Sequence, residues 1–146
     1  MLRILYDSKM PAEILPTVQR HVERFTWVLP PWLQFVSVRW CGEAQENPDH
    51  NIADCGVSYQ YRSARINIYP SWLEETEYDR ADTVLHELLH IPLAVLADYA
   101  RERIKEVVPD VEAPKFHKML VDEVTQRCES VVTDLAGVIL AHESNG

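Results

Sequence analysis

His86-Glu87-Leu88-Leu89-His90 brings two imidazoles and a carboxylate into one short run of the chain. On a helix, side chains four residues apart lie on one face, so His86 and His90 can share one metal ion. Glu87, one position round, can reach a water on that ion without ligating it. Neutral imidazoles suit zinc, and a vacant coordination position admits water whose proton the carboxylate can take. The chemistry is that of a zinc hydrolase.

Such a trio can also arise by chance, and its surroundings argue against that. Thr83, Val84, Leu85, Leu88, Leu89 and Ile91 make the segment too apolar for a surface helix. A histidine pair buried there without a partner would be costly.

The element that must carry the motif is predicted to run from about Glu77 to about Val108, with Pro109 ending it. Ser71-x-x-Glu74 resembles a capping box opening one helical turn, and Thr76-x-x-Asp79 repeats the pattern just ahead of the motif helix. Pro92 removes one backbone hydrogen bond and is expected to bend the helix after the second histidine. A last helix from about Pro114 to His142 carries the stripe Phe116, Leu120, Val124, Cys128, Val131, Leu135 and Val138, expected to pack on the core.

A catalytic zinc ion normally takes three protein ligands and a water. No glycine or histidine lies between His90 and Pro109, so the motif helix cannot turn back with a third imidazole. Asp98 and Glu102 lie too far along it to return. The last helix then supplies the third ligand, with Glu129 and Glu123 as candidates. Glu123 shares its face with Arg127, Ser130 and Asp134, whereas Glu129 sits beside Thr125, Val132 and Ala136, small or apolar residues that allow close approach. That comparison favours Glu129 and leaves Glu123 as the alternative.

The preceding chain supplies the frame. Leu2, Ile4 and Tyr6 form a short strand, and a helix follows with Ile14, Leu15, Val18, Val22 and Phe25 on its apolar side, starting at Ser8 or near Pro16. Leu33–Trp40 suits a strand. Cys41–Gly56 reads as a long exposed loop, on which His50 and Asp54 are better explained as solvated groups than as ligands. Val57–Tyr61 and Arg65–Tyr69 read as a hairpin, with Pro70 placing the second strand at the sheet's edge, where an extended peptide could add as a further strand. The expected class is α+β: a small mixed sheet of about four strands packed against an N-terminal helix, the motif helix and a long C-terminal helix.

With 146 residues, 47% of them hydrophobic, the chain suits one domain over residues 1–146. A net charge of −9 argues against nucleic acid as a partner. No apolar stretch reaches membrane-spanning length, and the amino terminus lacks a signal-peptide pattern. Three cysteines, Cys41, Cys55 and Cys128, fit free thiols in a reducing compartment, hence the cytoplasm.

These residues resemble a zincin metallopeptidase of the glutamate type, in which H-E-x-x-H is completed by a glutamate from a later helix. The segments Ala64–Pro70, His86–His90 and Cys128–Leu135 are similar to small metallopeptidase-like proteins of bacteria and phages, a likeness covering roughly residues 57 to 140. The resemblance implies zinc ligands His86, His90 and Glu129, Glu87 as general base and then proton donor, and a peptide or protein substrate aligned by the strand at Arg65–Tyr69. One departure concerns the position four residues after the ligand glutamate, an aspartate in the family. Here it is Thr133, and the aspartate is Asp134. With no second domain in view, Tyr69, Tyr99 and His117 are the candidates for stabilising an oxyanion. A metal-stabilised binding protein that captures a partner is the alternative function.

Overall fold

The computed structural model describes residues 1–42 and 50–146. It is α+β, with a four-stranded mixed sheet, an N-terminal helix and a long C-terminal helix. The chain divides into two compact units, Met1–Pro92 and Leu93–Gly146.

The first unit holds the sheet. Strands β1 (Arg3–Tyr6), β2 (Phe35–Trp40), β3 (Ala53–Ser58) and β4 (Ser63–Ile68) lie in the order β1-β2-β4-β3. β1, β2 and β4 run parallel, and β3 is antiparallel to β4. Alternation sorts their side chains onto two faces. Val36, Val38, Ala64, Ile66 and Ile68 are buried, whereas the intervening Arg39 and Arg65 are exposed.

Two helices cover the buried face. Helix α1 (Leu15–Arg24) turns Val18, His21 and Val22 inward, with Pro16 in its first turn, where a missing N–H costs nothing. It therefore starts at the later of the two expected positions, with Ile14 and Phe25 buried just outside its ends. Helix α2 (Glu77–Val107) begins after Thr76, whose hydroxyl accepts the Asp79 backbone N–H at 3.2 Å and donates to the Asp79 carboxylate. That second expected box is thus a working cap. The first is not: Pro70–Glu74 is a 3-10 turn, and Ser71 Oγ donates to the Asn51 carbonyl instead.

Two expectations about the sheet need correcting. The strand at Arg65–Tyr69 does not lie at the edge, because β4 pairs with β2 on one side and β3 on the other. The edge strand is β3, which occupies the end of the segment expected to be loop. Ala53-Asp54-Cys55-Gly56 has little β-propensity of its own and is held extended by its ladder to β4. Arg62, at φ 49° in the connection, gives the loop its left-handed residue.

The second unit comprises α2 beyond Pro92 and α3 (Pro114–Asn145). Their connection is closed by bonds from the Val108 and Ala113 amides to the Ile104 and Pro109 carbonyls, at 2.7 and 3.1 Å. Arg101 Nη2 donates to Thr125 Oγ1 at 3.2 Å. On α3 the buried line is Val132, Ala136 and Leu140, while Val131, Leu135 and Val138 of the expected stripe are exposed. The inward face is thus turned by one residue in the second half of the helix, onto the line with the small Ala136. Among the described residues no helix is long and apolar enough to cross a membrane.

Candidate metal centre

The first half of α2 is anchored by Ala81, Val84, Leu85, Leu88 and Ile91, all buried. Their 3–4 spacing fixes the rotation of the helix and leaves His86 and His90 half-buried beside that core. The two rings meet. Their Nε2 atoms are 3.2 Å apart, with ring centroids 4.9 Å apart and planes at 71°. Two imidazole nitrogens bound to one tetrahedral zinc, each at about 2.0–2.1 Å, stand about 3.3 Å apart, so the pair fits a shared ion. The same separation would also let one neutral ring donate a hydrogen bond to the other. Pro92 lies inside α2 and has no N–H for the Leu88 carbonyl one turn earlier.

Glu87 is buried, with 8% of its surface exposed, a rare state for a carboxylate. It faces the sheet's edge strand. Burial, followed by the Glu87 and Asp54 charges, raises the Cys55 thiol pKa far above its ordinary value, so Cys55 stays protonated and apolar in character. Cys55 pairs with Ile66 in the ladder, which places it on the covered side of the sheet beneath α2. Sequence reasoning missed this neighbour because β3 carries little strand signal.

The two candidate third ligands are in different settings along α3. Glu123 accepts a hydrogen bond from Arg127 Nε at 2.8 Å on a solvated face, next to the Lys118–Asp122 pair. Glu129 lies at the margin of the inward line, three and seven residues before the buried Val132 and Ala136. The nearby acidic position is Asp134, exposed like Thr133.

The other candidates are committed elsewhere. Asp54 accepts the Asn67 side-chain amide at 2.7 Å and the Tyr69 hydroxyl. That bond to Asp54, aided by burial, raises the Tyr69 pKa to about 12. A ring nitrogen of His117 is 2.7 Å from the Val108 carbonyl, and Arg103 sits 5.4 Å over the exposed Tyr99 ring. His50 is exposed, with φ 52°.

One further titratable group is buried away from the motif. His21 lies edge-on to Trp72 at 6.3 Å, and neither ring nitrogen makes an aligned hydrogen bond to a described residue. Glu77 Oε1 is 2.9 Å from its Nε2, yet burial, reinforced by Arg20, Arg24 and Arg80, lowers its pKa to about 4.

No protein-family model, curated protein or solved structure matches the chain.

Proposed function

We propose that this protein is a zinc-dependent peptidase of the zincin kind, with His86, His90 and Glu129 holding the ion and Glu87 as the catalytic carboxylate. The observation that carries the reading is the approach of the two imidazole Nε2 atoms to 3.2 Å on one helical face, a spacing suited to a single tetrahedral ion. With Glu129 as the proposed third ligand, His86 and His90 would complete the two-imidazole, one-carboxylate donor set of catalytic zinc sites. Bound zinc would act as a Lewis acid, lowering the pKa of a coordinated water and polarising a carbonyl.

The protein's own groups do the rest. His86 and His90 must both present unprotonated Nε2 atoms, so each ring carries its proton on Nδ1. Glu87 accepts a proton from water and returns it to the leaving amine, a role that suits a carboxylate held in a buried position. Among the described residues the edge of the sheet beside Glu87 belongs to β3, so an extended peptide would add there.

Glu87→Gln provides the test. It keeps the shape of the side chain but cannot take a proton, so the variant should bind zinc like the wild type and lose hydrolysis of a peptide library by about 10²–10⁴-fold. Equal cleavage by both proteins would refute the mechanism. Equal zinc content with no turnover in either would favour the binding protein, whose retained site stabilises a partner-capturing surface.

A further inference from the structure

The opposite side of the sheet carries a second feature. Parallel strands are normally covered on both faces, yet the face of β1, β2 and β4 turned away from the helices is open among the described residues. A cleft of about 620 Å³ lies there, lined by Lys9, Ser37, Arg39, Arg65 and Asn67, with Asp7 its one carboxylate among the described residues. A second hollow of about 390 Å³ shares Ser37, Arg39 and Arg65 with the first. Such volumes lie in the range of small-molecule sites.

The two arginines are neighbours by register. Ser37 pairs with Arg65 and Arg39 with Asn67, so Arg39 and Arg65 sit diagonally across adjacent strands on one face. Arg65 does not simply extend into solvent: its Nη2 lies 3.7 Å from where a Cβ would stand on Gly56, so the guanidinium lies across β3, where glycine leaves room for it. Among the described residues neither arginine has an ion-pair partner, in a chain with 23 acidic residues against 14 basic ones. The two carboxylates near them among the described residues are engaged. Asp7 accepts the backbone amides of Lys9 and Trp40, at 2.9 and 3.4 Å, and Asp54 accepts Asn67 and Tyr69. The cleft also opens at the carboxyl ends of the parallel strands, where open sheets commonly take their ligands.

We infer that this cleft binds a small molecule through an oxyanion, phosphoryl or carboxylate, gripped by Arg39 and Arg65. Two guanidinium forks can donate parallel charge-assisted hydrogen bonds to such a group, and Ser37 can add a hydroxyl. The site is on the far side of the sheet from His86 and His90 and stands whether or not the chain is a peptidase.

The full-length protein, labelled with ¹⁵N, is titrated with inorganic phosphate and separately with acetate, at constant ionic strength, with chloride as the control. Saturable shifts at Ser37, Arg39, Trp40 and Arg65 are expected with at least one of the two oxyanions, and which one identifies the group. Arg39→Gln and Arg65→Gln should each weaken binding at least fivefold and together remove it, with Arg3→Gln unchanged. Shifts of equal size with chloride, or saturation that persists in the double variant, would overturn the assignment. Because all three substitutions are at exposed positions, an unaltered spectrum elsewhere verifies the fold of each variant.

Discussion

At the scale of single residues, the motif's chemistry rests on which carboxylate joins the two imidazoles. Glu123 is held by Arg127 in an exposed i,i+4 pair, an interaction of about 0.3–0.5 kcal/mol. Glu129 borders the buried line of α3 instead. Glu129→Gln should therefore weaken zinc affinity by about tenfold or more, whereas Glu123→Gln should leave it unchanged, as read by competition with a zinc-sensitive dye. His21 makes a separate prediction. In the folded protein its pKa is lowered to about 4 from an ordinary 6.5, so the unfolded chain binds more protons between those values. Its contribution is present in full above pH 6.5, declines as pH falls toward 4 and changes no further below that. At 1.36 kcal/mol per pKa unit the loss reaches about 3 kcal/mol. Urea titrations of the wild type across this range should show that decline, and His21→Phe should flatten it.

At the scale of elements, the helices were legible in the sequence and part of the sheet was not. The motif helix and the last helix announce themselves by capping residues, by Pro109 and Pro114, and by long apolar patterns, and both lie close to their expected limits. The first four residues of β3 were hidden because Ala53, Asp54, Cys55 and Gly56 are strand residues only by virtue of the ladder they join, whereas the hairpin itself was expected from Val57 onward. Pro70 made β4 look like an edge, although it lies past the end of the strand, in the following 3-10 turn. The stripe on α3 was misplaced for a related reason: with Val131 beside Val132 and Leu135 beside Ala136, apolar pattern alone does not choose the line that turns inward. The two-faced character of β4 can be measured directly. Ile66→Ala, at a fully buried position, should cost about 2–5 kcal/mol, while Arg65→Ala on the other face should stay within about 0.5 kcal/mol, both by chemical denaturation.

At the scale of the whole molecule, overall charge conceals local charge. The net −9 argued against nucleic acid as a partner, yet Arg39 and Arg65 gather on one sheet face because β2 pairs with β4 across the intervening β3. Composition cannot reveal a juxtaposition that depends on strand order. The proposed ion also has a global readout, since a metal bound only by the folded state stabilises it by mass action. With zinc at about a hundred times its dissociation constant the gain is about 2.7 kcal/mol. Chelation should therefore lower the melting temperature of the wild type, and His90→Ala should show the lower value with or without chelator.

Strand order also bears on how the chain reaches this structure. Among the described strands, β3 and β4 meet through a tight connection, whereas β1 must reach β2 past α1 and β2 must reach β4 past β3. Loop closure disfavours the distant pairings early, so the β3–β4 hairpin is the natural nucleus, with both parallel ladders assembling afterwards. The strand with the weakest local signature would then be among the first to take its place, and the imidazole pair would acquire its supporting sheet from the edge inward.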